Sequence, residues 1–164
     1  MRLSPGARGR WDDARQTVNE LIDFLVVARR ETYAIPDGTD VGDGTRHMLF
    51  DSRPWRYRDR YAGTNPYGGH EIVWRDGAVV WMQNYMAEIL SDLRPMDEIY
   101  SFQREVLAQP DRDHLMRGPA QFVRGSYCYA NSVEGTLARF SGIETITHDG
   151  TPVYRMIFHG GVVG

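Results

Sequence analysis

The sequence predicts an α+β fold: two pseudo-symmetric αβββ repeats forming a mostly antiparallel sheet of about six strands, with the helices on one face. Three observations carry this expectation. The stretch GHEIVWRDGAVVWMQNY at residues 69–85 returns in altered form as GIETITHDGTPVYRMIF at residues 142–158. Each copy centres on an Asp-Gly pair between β-rich runs, and this dipeptide accepts positive φ and marks a tight hairpin. A run with helical periodicity lies upstream of each copy.

The elements follow in order. From Asp12, a candidate N-cap, Val18, Leu21, Ile22, Leu25 and Val26 recur at helical spacing, which predicts a helix ending near Arg30. Residues 35–46, IPDGTDVGDGTR, have little to bury and read as an exposed loop, of the length that is often either disordered or a lid over a site. RYRDRY alternates, placing Arg56, Arg58 and Arg60 on one strand face and Tyr57, Asp59 and Tyr61 on the other. The arginines read as a solvated face that guards against edge pairing.

Ile89, Leu90 and Leu93 form a helical patch interrupted by Pro95, and Met96, Ile99, Phe102, Val106 and Leu107 resume the spacing, so a kinked or two-piece helix is expected. Arg117-Gly118-Pro119 then turns the chain into a strand over Phe122 to Ala130. At an offset of 73 residues the two hairpins are identical at five of seventeen positions: Gly69 and Gly142, Glu71 and Glu144, the two Asp-Gly pairs, and Val80 and Val153. Three further pairs keep side-chain class, Val73 with Ile146, Trp81 with Tyr154, and Tyr85 with Phe158. With a one-residue slip, Tyr57 and Gly63 match Tyr129 and Gly135. A doubled ancestral segment explains this order. The domain reading is a disordered tail over 1–11 and a single domain over 12–164, with repeats at about 12–86 and 87–161.

At 164 residues and 41% hydrophobic content, the chain can bury a core without staples. A formal charge of -3 argues against direct binding to nucleic acid, which needs a clustered positive face. Cys128 is the only cysteine, so no intrachain disulfide forms; it reads as a small core residue, and the location expected is the cytoplasm. No apolar run is long enough to span a membrane.

FLVVARRETYA (24–34), SRP (52–54), the first hairpin, RGP (117–119) and YANSVEGTLARFSGIETITHDGTPVYRMIFHGG together resemble a bacterial family of unknown function. Its members occur alone or behind a helix-turn-helix domain of the Xre type, and the resemblance spans roughly residues 20–163. It implies a module compatible with sensing and brings no catalytic residue. Residues 1–16 are too few for a DNA-binding domain.

Glu71 shares a strand face with Val73, and Glu144 with Ile146, so both carboxylates are directed to the covered side. A carboxylate there must be paired or hydrogen-bonded, with the backbone N–H groups of a turn, or Arg53, Arg117 or Arg155, as candidate partners. The sharper reading brings both glutamates to one cleft walled by Tyr57, Trp81, Tyr85, Tyr129, Tyr154 and Phe158, with His159 at the strand end. An acidic, aromatic-lined cleft suits a small cationic or flat amine-bearing ligand. Two alternatives stand beside it. One is a small enzyme using Glu71, Glu144 or His159 as general acid and base. The other is a module that homodimerises through an exposed strand or through Trp55 and Trp74. The histidines lack metal-ligand spacing and no Gly-rich phosphate loop is present, so no metal and no cofactor are expected.

Overall fold

The computed structural model describes residues 5–33, 35, 37–110 and 112–164, with side chains from residue 16 onward. Residues 1–4 of the expected N-terminal tail lie outside the described residues. Helix α1 runs Pro5–Tyr33, so it begins before Asp12 and passes Arg30. Its buried positions are Leu21, Phe24, Leu25, Ala28, Arg29 and Thr32. They keep the helical spacing but define a stripe rotated from the predicted one, and Val18 is exposed.

The strands are β1 (Thr39–Asp40), β2 (Arg46–Ser52), β3 (Trp55–Gly63), β4 (Tyr67–Arg75), β5 (Ala78–Ile89), β6 (Gln121–Arg124), β7 (Tyr127–Thr136), β8 (Arg139–His148) and β9 (Thr151–Val162), with helix α2 (Met96–Leu107) between β5 and β6. They form one nine-stranded sheet in the order β1-β2-β3-β4-β5-β9-β8-β7-β6. Every strand pair is antiparallel. The expected six-strand sheet of two αβββ units is therefore too small. Helix α1 is followed by five strands and α2 by four.

Each missed strand has a local cause. RHMLFDS carries polar residues on both faces and gave no clean period, yet it pairs with β3 along its whole length. Part of the expected exposed loop becomes β1, because Thr39 and Asp40 fold back on His47 and Arg46. The stretch from Phe122 to Ala130 is two strands, since Gly125 takes φ +57 and reverses the chain between them. Ile89, expected in a helix, ends β5 opposite Tyr154, and α2 starts only after Pro95. β3 is an interior strand, so its arginines do not guard an edge.

Both predicted hairpins form. Asp76 and Gly77 have φ +50 and +83, and Asp149 and Gly150 have +48 and +76, the mirror-turn geometry that suits the right-handed twist of paired strands. Each carries a bulge at the same place, after Val73 in β4 and after Ile146 in β8. Gly69 and Gly142 also have a shared reason. A Cβ on Gly69 would stand 2.6 Å from the Tyr85 hydroxyl, and one on Gly142 would stand 2.4 Å from the Phe158 ring, since each ring lies across its cross-strand glycine.

Strand alternation sorts the sheet into two faces. Tyr57, Asp59, Glu71, Val73, Trp81, Gln83, Tyr85, Tyr129, Glu144, Ile146, Tyr154, Met156 and Phe158 are buried on one. Both helices pack on this face: Phe24 of α1 stacks on Trp55 at 5.6 Å, and Phe102 of α2 stacks on Tyr127 at 5.0 Å. The opposite face carries Arg58, Met86, Ile143, Ile157 and His159. Cys128 lies on it too, half-buried, and not in the core as expected, because its neighbours Tyr127 and Tyr129 turn to the helices.

Candidate functional site

The covered face holds a connected set of buried charges. Asp59, Glu71 and Gln83 stand side by side across β3, β4 and β5. Asn131 and Glu144 do so across β7 and β8. Helix α1 brings Arg29 onto the first row, where Nη2 donates to Glu71 Oε2 at 2.6 Å and Nε to the same oxygen at 3.0 Å. Helix α2 brings Gln103 onto the second, where its amide donates to Glu144 at 2.7 Å. Arg29 follows Leu25 by one helical turn and Gln103 follows Ile99 likewise, so each polar residue rides on its helix's apolar stripe.

Arg117, in the segment between α2 and β6, ties the rows together. Its Nε donates to Glu144 Oε2 at 3.0 Å, and Nη1 lies 3.9 Å from Glu71 Oε1. The Tyr33 hydroxyl accepts from Arg117 and donates to Glu71, both at 3.3 Å. The Tyr129 hydroxyl donates to Glu144 at 3.0 Å. Arg117 has φ +105, a costly backbone conformation for a side-chain-bearing residue, held where its guanidinium spans two carboxylates. Burial pushes the Glu144 carboxyl up, but the charge and hydrogen bond of Arg117, with Gln103 and Tyr129, outweigh it and hold the group below the usual range.

Two glutamates and two arginines balance. Asp59 is the third acid, 3% exposed, with no arginine of its own among the described residues. Its partner is the Tyr85 hydroxyl, which donates to it at 2.5 Å. Burial and then the charge of Glu71 push its carboxyl up to about 7, against the pull of the Tyr85 hydrogen bond, Arg117 and Arg29. The Tyr85 hydroxyl is itself raised well above its ordinary value by burial and by Asp59.

Asp59 and Tyr85 line a cleft of about 360 Å³ that also reaches Arg117 and Gln103. Tyr61, Tyr67, Tyr100 and Met156 wall it, while Ile35 and Asp37, from the segment expected as a loop, border it. Tyr67 meets Tyr85 and Tyr100 edge-on at 6.2 and 5.6 Å. The Arg117 guanidinium lies 5.8 Å from the Tyr85 ring centre. The volume falls in the lower part of the range that small-molecule sites occupy.

Of the residues singled out in sequence, Tyr85 lines this cleft. Glu71 and Glu144 lie just behind it, joined through Arg117, and the partner of Glu71 is Arg29, which the sequence reading missed. Tyr57, Trp81, Tyr129, Tyr154 and Phe158 are fully buried in the core around them. Trp81 donates to the Leu137 carbonyl, and Tyr154 accepts from Gln103. His159 is exposed on the opposite face, between Asn84 and Ser141, and takes no part. Arg53 and Arg155, the other candidate partners, are also exposed. The signal that could have found Asp59 was present: it is the acid on the tyrosine face of RYRDRY.

Among the described residues no group of three or more His, Cys, Asp or Glu could hold a metal ion, and no helix is long and apolar enough to cross a membrane.

Fold and site define a class: a single open-faced antiparallel sheet, covered on one side by two helices, with a buried acid and arginine network beneath a small cleft. The family model named Domain of unknown function (DUF5680) matches residues 59–163, and the chain belongs to that family. The match starts within β3, so α1, β1 and β2 lie ahead of it. Comparison with curated proteins and with solved structures found no match.

Proposed function

We propose that the protein is a small-molecule-binding module, cytoplasmic and of a sensing type, whose cleft takes an organic amine. The observation that carries the reading is the uncompensated acid. Glu71 and Glu144 already have Arg29 and Arg117, whereas Asp59 faces the cleft with only a tyrosine hydroxyl. An ammonium group there supplies the missing positive charge, and the rings of Tyr61, Tyr67 and Tyr100 offer π-faces and apolar contact beside it. The acidic, aromatic cleft expected from the sequence keeps its chemistry in this proposal, with Asp59 in the place given to the two glutamates. The matching bulges and ring-on-glycine pairs of the two hairpins support descent of both halves from one duplicated segment. The resemblance to bacterial proteins that follow an Xre-type helix-turn-helix domain supports a ligand-reporting role.

Thermal-shift and calorimetric screening of organic amines at pH 8 tests this. Binding to wild type that weakens at least tenfold in Asp59→Asn is expected; equal binding to both removes the acid from the reading.

A second reading, general acid–base catalysis, has one observation in its favour: a cleft carboxyl that titrates near 7 beside a tyrosine hydroxyl. Turnover abolished in Asp59→Asn, with the fold intact, would select it.

A further inference from the structure

The cleft is charged at both ends, and the ends differ in sign. Asp59 is at the floor, 3% exposed. At the rim stand Arg46 and Arg104, on separate elements, β2 and the last turn of α2. Both are exposed, and no ion pair ties either of them to an acid among the described residues. Arg46 is also held in place, since its Nε donates to the Gly38 carbonyl at 2.8 Å, and this orients the guanidinium without neutralising it. Asp37 is the one acid among the residues lining the mouth; Asp40, across from Arg46 in the β1–β2 pairing, accepts from the Gly42 N–H and makes no ion pair with it, so two arginines stand against one lining acid.

Resting on the reading of Asp59 above, we propose that the ligand is a zwitterion: its ammonium group meets Asp59 at the floor, and an anionic group at its far end meets Arg46 and Arg104 at the mouth. A guanidinium fixed by one hydrogen bond has its remaining donors in a fork suited to a carboxylate or phosphate, and two arginines bordering one cleft from different elements favour an anion at its mouth. The apolar and aromatic walls between floor and mouth, Tyr61, Tyr67, Tyr100, Leu107 and Met156, fit an uncharged body linking the two groups. A plain amine leaves the mouth unpaired; a plain acid leaves Asp59 unpaired.

The test is calorimetry with matched probes: hexylamine against aminohexanoate, benzylamine against para-(aminomethyl)benzoate, and hexanoate as the acid without an amine. On wild type, the amino acids of each pair are expected to bind about five- to tenfold more tightly than the amines. That gap closes in Arg104→Gln, an exposed position whose loss leaves the fold intact, and in the Arg46→Gln, Arg104→Gln pair. Amines that bind with no gain from the carboxylate, or a gain that survives both substitutions, overturn the zwitterion and leave the Asp59 reading standing. No binding of any amine-bearing probe, or hexanoate binding as well as aminohexanoate, overturns the Asp59 reading and this inference with it.

Discussion

The Tyr85 hydroxyl donates a 2.5 Å hydrogen bond to the Asp59 carboxyl, and this pair forms the floor of the cleft. Tyr85 comes from β5 and Asp59 from β3, with Gly69 of β4 between them, so the contact exists only because the middle strand presents no side chain there.

The pair is expected to make stability and the proposed amine binding depend on pH in opposite directions. The folded-state carboxyl of Asp59 lies near 7, above the ordinary aspartate value, so the fold favours its protonated form. Its stabilising contribution is complete below about pH 4 and is lost as pH rises through 7. Urea titrations from pH 4 to 8 are expected to show this decline, and Asp59→Asn to flatten it, with the variant more stable than wild type by about 1–3 kcal/mol at pH 8. The proposed amine binding is expected, in contrast, to strengthen as pH rises through 7 in calorimetric titrations, because ionised Asp59 is the form that would pair.

Removing Arg117 should be severe. Arg117→Gln leaves Glu144 buried without its cation and is expected to cost about 3–5 kcal/mol, read from the urea midpoint. The double substitution Arg117→Gln, Glu144→Gln should cost clearly less than the sum of the two singles, since no buried charge is then left alone in the second row.

Gly69→Ala drives a methyl group toward the Arg60 carbonyl at 2.4 Å and the Tyr85 hydroxyl at 2.6 Å. Backbone cannot yield there cheaply, so a loss of about 1–3 kcal/mol is expected. If Tyr85 is what positions the ligand's acid partner, amine binding falls in the same variant.

The two tryptophans considered as dimer contacts should separate. Trp55 is 8% exposed and stacked on Phe24, so Trp55→Ala is expected to cost about 3–5 kcal/mol. Trp74 is half-buried on the open sheet face under Arg58, and its replacement should cost less than about 1 kcal/mol. Thermal melts of the two variants check both.

Much of the local structure was legible in the chain. The Asp-Gly turns, the alternation of RYRDRY and the inward set of Glu71 and Glu144 follow from turn chemistry and the two-residue strand period, which act over a few neighbours. β2 and β6 were not legible, since RHMLFDS has no clean alternation and Gly125 is a single-residue signal inside what reads as one strand. Their strand identity comes from the pairing partners, β3 and β7.

What the amino-acid order determined by itself was the character of the site, acids and rings carried on strands facing helices. Only the tertiary structure decided which acid is free. Arg29 reaches Glu71 across 42 residues and Arg117 reaches Glu144 across 27, while Asp59 gets neither. Charge balance in a buried cluster is settled by distances between segments far apart in the chain, and no periodicity within one segment encodes them.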